Sequence, residues 1–254
     1  MRTSNSNGST EKGFILPSDE RVDWFLRYIQ RMMSQKMEQN MDAVYVHGID
    51  EISGLALKTG AIIAPNHVSY WDSCLYFVLS QKLSARAFVF VAKDTLQRLP
   101  FLRWCGAVPI NTQSKGDAIQ QLIHAKALNT TPTQFWIFPQ GEHRPTHHTP
   151  LQFKKGVTIL GEQLQIPIVP VSIDYLYKDN EQPITYVSFR PPMPYSSSVK
   201  EIEMEITKGL KDINARHLGD LSLKFESIYK PRKSTEDIAT RILAWFAGLM
   251  LGKV

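Results

Sequence analysis

Residues 61–73 have the sequence Ala61-Ile62-Ile63-Ala64-Pro65-Asn66-His67-Val68-Ser69-Tyr70-Trp71-Asp72-Ser73. The apolar run 61–64 is typical of a buried strand, and Pro65 with Asn66 ends it in a turn or a helix cap. An apolar segment with helical character continues to Leu79. We therefore expect His67 where a strand passes into a helix, which is where ligands gather in α/β folds.

His67 and Asp72, five residues apart, are the first candidates for chemistry. A neutral imidazole can take a proton from an alcohol, and a carboxylate on its other ring nitrogen fixes the tautomer. Five residues turn through about 140° around a helix, so the two side chains meet only if His67 precedes the helix or lies in a distorted first turn. Taken alone, the pair also fits a capping histidine and a solvent-facing aspartate.

Length and composition set broad limits on the chain. Its 254 residues suit one large domain with short additions, and 43% hydrophobic residues are enough for a sizeable core. Cys74 and Cys105 do not make a disulfide framework and fit a reducing compartment. The net charge of +5 suits an anionic membrane surface, an acidic substrate or nucleic acid, and it is too small to choose between them. We expect no nucleic-acid partner, because the basic residues are scattered.

The amino-terminal part divides into a tail and a helix. Residues 1–13 are polar and lack the apolar core of a signal peptide, and residues 1–17 are predicted to form a disordered tail. Residues 18–42 predict an amphipathic helix from about residue 20 to residue 39, capped by Ser18 or Asp19. This helix either packs on the domain or lies in a membrane interface. Its predicted apolar face carries Val22, Phe25, Leu26, Ile29, Met32, Met33 and Met37.

The carboxyl-terminal part, residues 221–254, predicts a second amphipathic segment. Residues 236–251 place Trp245 and other apolar side chains on one face. Packing on the core and lying in a membrane interface both fit this pattern. No apolar run of the chain reaches the roughly 18 residues that a membrane span requires, so we expect no transmembrane helix.

Between these parts, residues 43–220 alternate short apolar runs with amphipathic segments. The predicted strands are 44–49, 61–64, 87–92, 107–110, 135–138, 168–173 and 184–189, and the predicted helices include 115–128, 157–164 and 199–218. This alternation predicts a single α/β domain with a mixed, largely parallel sheet flanked by helices, in addition to the two terminal amphipathic helices.

Four stretches in this order resemble the motifs of the glycerolipid acyltransferase family, whose members include the 1-acylglycerol-3-phosphate acyltransferases. They are Asn66-His67 to Asp72, Lys93 to Ile110, Phe138-Pro139-Gln140-Gly141, and 166–171. Phe153-Lys154-Lys155-Gly156 also resembles a Lys-Gly stretch found between the last two. Together they cover about residues 60–175, and four matches in order are far more specific than one.

The resemblance implies transfer of a fatty acyl group from acyl-coenzyme A or acyl-acyl carrier protein to the hydroxyl of a lysophospholipid or related lipid. It implies that His67 is the general base, that Asp72 orients it, and that the hydroxyl attacks the thioester directly. A Gly-x-Ser-x-Gly elbow for a serine nucleophile is missing from the sequence, which agrees. We expect no metal and no cofactor other than the acyl donor.

The resemblance also implies a set of substrate-binding residues. They are Asn66, Lys93, Thr112, Phe138, Pro139, Gln140, Gly141, Glu142, Arg144, Lys154 and Lys155. Within this set, the turn at Gly141 is expected to offer backbone N–H groups to an oxyanion or a phosphate.

The chain departs from the family pattern at the residues that bind the acceptor's phosphate. Gln140 stands where the family has Glu, Glu142-His143 stand for Thr-Arg, and Thr112 stands for a second arginine. Neither Gln nor Thr imitates the two-pronged grip of a guanidinium on phosphate. Either Arg144, Lys154 or Lys155 compensates, or the acceptor is a glycosylated or amino lipid rather than a glycerol phosphate.

A histidine-rich loop follows the third motif. His143, His147 and His148 lie close to Glu142, which permits a metal site. Pro145 and Pro150 disfavour a regular helix there, so the spacing defines no ligand geometry. We favour a polar loop beside the active site.

Three function classes remain after the sequence analysis. The first is a peripheral acyltransferase on the cytoplasmic face of a membrane, held there by its terminal segments. The second is a non-catalytic lipid-binding protein of the same fold, against which the retained His67 and Asp72 argue. The third is a thioester hydrolase, in which the same base activates water.

Overall fold

A mixed β-sheet forms the centre of the computed structural model. The structure describes residues 18–147, 150–178, 181–220 and 223–229. The predicted tail 1–17 and the predicted amphipathic segment 236–251 lie outside the described residues. Every helix in the described part is too short or too polar to cross a membrane.

The sheet is built from parallel strands with antiparallel additions at one side. Its strands are β1 (Ala43–His47), β2 (Ala61–Pro65), β3 (Arg86–Ala92), β4 (Ala107–Ile110), β5 (Thr133–Trp136), β6 (Ile168–Leu176), β7 (Ile184–Phe189) and β8 (Glu226–Ser227). The strand order is β4-β3-β5-β2-β6-β7-β1-β8. Only the pairs β6–β7 and β1–β8 are antiparallel in the described sheet. The predicted mixed, largely parallel sheet is confirmed.

Helices connect the strands and cover both faces of the sheet. They are α1 (Asp23–Asn40), α2 (Ile49–Thr59), α3 (Trp71–Lys82), α4 (Lys93–Arg98), α5 (Lys115–His124), α6 (Gly156–Leu164) and α7 (Val199–His217). Short 3-10 helices span Pro100–Cys105 and Ala125–Leu128, so the predicted helix 115–128 tightens in its last turn. The sequence analysis missed α2 and β8.

The first helix begins later than the sequence predicts. Neither Ser18 nor Asp19 caps it, because the Asp19 carboxylate instead accepts hydrogen bonds from the backbone N–H and Nε of Arg21, both at 3.2 Å. The N–H of Val22 donates to the carbonyl of Trp104 at 2.9 Å. These contacts hold residues 18–22 against the 3-10 helix 100–105, and α1 starts only at Asp23.

The apolar face of α1 packs on the domain. Ile29 and Met37 are buried, and Phe25 and Met33 are partly buried against the same core. Met32, which was assigned to this face, is exposed. The predicted packing on the domain is therefore confirmed for one side of α1, and the opposite side of the helix faces solvent.

The parallel strands decide where a site can form. The pairings β2–β5, β2–β6, β3–β4 and β3–β5 are all parallel, so β2 to β6 end at one edge of the sheet. Apolar side chains of α1 and α3 cover one face of this sheet, and those of α5, α6 and α7 cover the other. Side chains from the loops that follow β2 to β6 can therefore converge at this edge of the sheet and form a site.

Candidate active site

The loop after β2 is fastened to the neighbouring strand by Asn66. This side chain is buried, and its Nδ2 donates to the carbonyl of Ile173 at 2.9 Å. Its Oδ1 accepts from the N–H of the same residue at 2.7 Å. Both ends of the amide are therefore occupied by β6. Asn66 fixes the position from which His67 starts, and it turns its side chain away from the loop's open side.

His67 and Asp72 meet in the way that their spacing requires. The Nδ1 of His67 lies 2.7 Å from Oδ2 of Asp72. His67 precedes α3, and Asp72 lies in the first turn of that helix. The same Oδ2 accepts the backbone N–H groups of Val68 at 2.7 Å and Ser69 at 3.0 Å. The loop is thus folded around a carboxylate oxygen, which locks the imidazole beside it.

The carboxylate is buried while the imidazole keeps access to solvent. The side chain of Asp72 is 0% exposed, and that of His67 is 22% exposed. A carboxylate only accepts hydrogen bonds, so Nδ1 carries the proton and Nε2 keeps a free lone pair. This arrangement excludes a solvent-facing aspartate and leaves Nε2 of His67 able to accept a proton.

Tyr175 completes the surroundings of Asp72. Its hydroxyl donates to Oδ1 at 2.7 Å, so both carboxylate oxygens are held. Burial and the negative charge of Asp72 raise the pKa of Tyr175 well above its usual range. The sequence analysis missed this residue. The alternation Val171, Ile173, Tyr175 in β6 was the available signal, because it directs Tyr175 to the face that α3 covers.

The third motif folds as a turn that supports His67. The N–H of Gly141 donates to the carbonyl of Phe138 at 3.0 Å, which closes the turn. Oε1 of Gln140 accepts the backbone N–H of His67 at 2.5 Å, and the Phe138 ring lies 4.4 Å from the imidazole between centroids. The turn itself uses the N–H of Gly141, and the expected offer of the turn's other backbone N–H groups to a substrate stays a prediction.

The Lys-Gly stretch is joined to the same turn. The backbone N–H of Lys154 donates to the carbonyl of Pro139 at 2.9 Å. The Lys154 ammonium lies beside Gly141, only 3.0 Å from the position that a Cβ would take there. Lys154 is therefore a cation at the rim of the site. Lys155 is exposed directly before α6.

Arg144 supports the site through its backbone. Its N–H donates to the carbonyl of His67 at 2.8 Å. Its side chain is held by neighbours, since Nε donates to Glu142 at 2.9 Å and one terminal nitrogen donates to Gln152 at 2.5 Å. The guanidinium lowers the pKa of the exposed Glu142. The guanidinium charge of Arg144 is thus partly balanced within its own loop.

His143 occupies the place of the arginine in the third motif of the family, and its ring faces His67. Its ring centroid lies 4.1 Å from that of His67, with the rings inclined at 63°. Burial lowers the pKa of His143, and the neighbouring His67 lowers it further. The sequence analysis recognised His143 as a departure from the motif and as part of the histidine-rich loop, but did not predict this contact.

Two predicted substrate residues lie farther along the edge. Lys93 begins α4 after β3, and Thr112 is exposed in the turn after β4. The sheet order places β5 between β2 and β3, so Lys93 and then Thr112 lie at increasing distance from His67. Their roles in substrate binding stay predictions.

Comparisons with known proteins identify the relatives of this chain. A sequence model of the family described as Acyltransferase matches residues 43–174. The 1-acyl-sn-glycerol-3-phosphate acyltransferase of Saccharomyces cerevisiae is 34% identical over 125 residues, which make up 47% of this chain and 40% of that protein. The alpha form from Ovis aries is 32% identical over 123 residues, or 45% and 38% of the two chains. The matches thus span about two fifths of these curated relatives.

The fold has a counterpart among solved structures. The crystal structure of the 1-acyl-sn-glycerophosphate (LPA) acyltransferase PlsC from Thermotoga maritima matches with a TM-score of 0.58 and 18% identity, over 76% of this chain and 81% of that chain. At this identity the likeness concerns the fold alone. The family match runs from β1 into β6 over just over half of the chain, and it contains both the His67 loop and the turn at Gly141. The chain therefore belongs to the glycerolipid acyltransferase family.

Proposed function

We propose that the protein transfers a fatty acyl group from an acyl thioester to the hydroxyl of a lysophospholipid or a related amphiphilic lipid. The observation that carries this proposal is the pairing of the buried Asp72 with Nδ1 of the partly exposed His67 at 2.7 Å. The pairing leaves Nε2 as a base directed away from the carboxylate. The acyl donor is acyl-coenzyme A or acyl-acyl carrier protein.

The chemistry follows from this geometry. Nε2 of His67 takes the proton of the acceptor hydroxyl as its oxygen attacks the thioester carbonyl carbon. The carbon–sulfur bond then breaks, and the leaving thiolate takes the proton back from the imidazolium. Asp72 stabilises the imidazolium during this exchange, because both its oxygens are already fixed by hydrogen bonds. A positioned base of this kind contributes about 10²- to 10⁴-fold in rate.

The charges around His67 favour a second candidate for the acceptor. The motif's arginine is replaced by His143, which packs on His67, and Arg144 is held by Glu142 and Gln152. Lys154 supplies a cation at the rim without the two-pronged geometry that suits a phosphate monoester. An acceptor without a terminal phosphate, such as a glycosylated or amino lipid, fits these residues.

The solvent-facing side of α1 suits a peripheral position at a membrane. Trp24 is 67% exposed and Tyr28 59% exposed, and Arg27 and Arg31 are exposed on the same side of the helix. Aromatic side chains settle at the headgroup level of a bilayer, and arginines are attracted to the anionic lipids of the cytoplasmic leaflet. The protein is therefore proposed to lie on the cytoplasmic face through this side of α1.

This surface is connected to the active site. The ring centroid of the exposed Trp24 lies 5.7 Å from that of Phe25, and Phe25 lies 5.4 Å from the exposed Trp104, so the aromatic surface extends through Phe25 onto the 3-10 helix 100–105. Lys36 of α1 donates to the hydroxyl of Tyr70 at 3.0 Å. Tyr70 belongs to the His67 loop, so a lipid bound beside α1 is presented close to the base.

An acceptor screen tests the proposed function. The purified full chain is mixed with a long-chain acyl-coenzyme A and a panel of lysophosphatidate, other lysophospholipids, glycosylated lipids and amino lipids. Release of the thiol and formation of acylated lipid are followed together, with His67→Ala as the control. We expect His67-dependent formation of acylated lipid from at least one acceptor.

The products separate the alternatives. Acylated lysophosphatidate supports the first acceptor class, and acylation of other lipids alone supports the second. Thiol release with free fatty acid and no acylated lipid overturns the proposal in favour of a thioester hydrolase. Binding of lipids without thiol release overturns it in favour of a non-catalytic lipid-binding protein.

A further inference from the structure

Two imidazoles and a carboxylate converge at the open side of the His67 loop. One ligand-capable atom from each of His67, Asp72 and His143 lies within 4.8 Å of the other two. The two imidazole rings meet with their centroids 4.1 Å apart. Imidazole nitrogen is a preferred ligand of zinc and neighbouring transition metals.

We propose that His67 and His143 together bind a transition-metal cation of the Zn²⁺ class, and that the bound cation silences the general base. Zn²⁺ needs the same lone pair on Nε2 of His67 that takes the acceptor's proton. The cation and a working base therefore exclude each other. The bound cation is not a cofactor of the proposed reaction, because it blocks that reaction.

The hydrogen bonds of Asp72 assign it to the outer shell of this site. Oδ2 accepts from His67 and from two backbone N–H groups, and Oδ1 accepts from Tyr175. Both oxygens are therefore committed to holding the loop. A histidine ligand whose other nitrogen donates to a carboxylate is the common arrangement in zinc sites, where the carboxylate orients the ring and raises its basicity.

The dimensions of the pair fit a single ion. Zinc–nitrogen bonds are about 2.0–2.1 Å long, so two nitrogens on one tetrahedral ion lie about 3.3 Å apart. His67 is locked by Asp72, whereas His143 is exposed in a loop and can turn toward it. Water completes the coordination from the solvent side.

The pair arises from this chain's own departure at position 143. With an arginine there, a guanidinium would stand beside the imidazole and repel a cation. With His143, a second neutral ligand stands there instead. Positive charge near the pair remains on the Lys154 ammonium beside Gly141, which is flexible enough to move away, and on Arg144, whose guanidinium is held by Glu142 and Gln152.

Metal binding to the full chain tests the site directly. Zn²⁺ is titrated against a chromophoric chelator in the presence of the unmodified protein and of four variants, His67→Ala, His143→Ala, Asp72→Asn and His147→Ala. We expect unmodified protein to bind with a stoichiometry of one ion at this site. Loss of the outer-shell carboxylate in Asp72→Asn weakens binding by about 10- to 100-fold, and loss of either ligand costs at least about tenfold. His147→Ala, in the same loop but outside the pair, retains full affinity.

A second variant guards against a misfolded control. His143→Arg restores the residue of the family motif at an exposed position, and it is expected to lose Zn²⁺ binding as His143→Ala does. Circular dichroism verifies that both variants are folded. The proposal is overturned if either folded variant binds Zn²⁺ as tightly as the unmodified protein.

Inhibition of acyl transfer is a separate measurement that rests on the proposed function. Zn²⁺ is expected to inhibit the unmodified protein reversibly, with activity restored by a chelator. His143→Ala, measured against its own uninhibited rate, is expected to need at least about tenfold more Zn²⁺ for the same inhibition. If Zn²⁺ binds through His143 but no acyl transfer is found with any acceptor, the metal site stands and the proposed function fails.

Discussion

The hydroxyl of Tyr175 donates to Oδ1 of Asp72 at 2.7 Å across a sequence separation of 103 residues. This hydrogen bond ties the end of β6 to the first turn of α3. It leaves Oδ2 free to hold the imidazole of His67 and the backbone of the loop. The orientation of the candidate base thus depends on a residue outside the four recognised motifs.

Tyr175→Phe is expected to lower kcat while KM changes little, because the ring remains but Asp72 loses a donor. A hydrogen bond to a charged group contributes about 1.5–3 kcal/mol, and the free energy of unfolding should fall by about that amount. Steady-state kinetics at low temperature and urea unfolding check both effects. Tyr177→Phe is the matched control, since Tyr177 is exposed two residues later. Equal kcat in the two variants would remove Tyr175 from the positioning of the base.

His67→Ala is expected to lower kcat by about 10²- to 10⁴-fold, the contribution of a positioned general base. Its effect on the free energy of unfolding should be small, because the side chain is partly exposed. Turnover and urea unfolding of the same preparation provide the measurement. A folded His67→Ala protein with unchanged turnover would contradict the proposed mechanism.

Asn66→Ala is expected to destabilise the fold more than it weakens substrate binding. The substitution leaves the N–H and carbonyl of Ile173 without their buried partners, which costs about 1–3 kcal/mol for each group. The free energy of unfolding and KM for the acceptor should be measured together. A large rise in KM with unchanged stability would instead support the role of Asn66 as a substrate contact.

Gly141→Ala is expected to destabilise the turn and to displace Lys154. Gly141 has a φ of +69°, and a Cβ there would lie 3.0 Å from the Lys154 ammonium. The left-handed conformation alone costs a residue with a Cβ about 1–2 kcal/mol. Thermal unfolding and kcat/KM provide the measurement, and both should fall.

Gly54→Ala is the matched control for that substitution. Gly54 lies inside α2, has an ordinary φ, and has nothing within 4 Å of the position of a Cβ. Alanine there should stabilise the protein by about 0.5–1 kcal/mol and leave kcat/KM unchanged. If both variants behave alike, the special backbone of Gly141 has no bearing on the site.

The double variant Trp24→Ala/Trp104→Ala is expected to weaken sedimentation with anionic liposomes, because it removes exposed aromatic area from the proposed membrane face. Leu218→Ala, which truncates an exposed apolar side chain at the end of α7, is the control and should sediment as the unmodified protein does. Binding should also decrease with added salt, since Arg27 and Arg31 lie on the same face. Undiminished sedimentation of the double variant would exclude α1 as the docking surface.

Local pattern was sufficient for the parts of this fold that depend on neighbouring residues. Strands 107–110 and 184–189 have the predicted bounds, because an apolar run between turn residues marks a buried strand. The meeting of His67 with Asp72 was one of two interpretations of their spacing, and it is the one that requires the helix to begin after the histidine. The missed helix α2 is only 11 residues long and contains Gly54, which lowers the helix propensity of the segment.

The sequence by itself determined the α/β class and the motif order, and it left the pairing of His67 with Asp72 as one of two alternatives. The tertiary structure alone decided that Asp72 is buried, that Tyr175 holds its second oxygen, and that His143 faces the imidazole. It also turned the Asn66 amide into the sheet. The physical reason is that these contacts depend on the register of β2 with β6 and on the path of the loop after β5. Neither is encoded in the periodicity of a single segment.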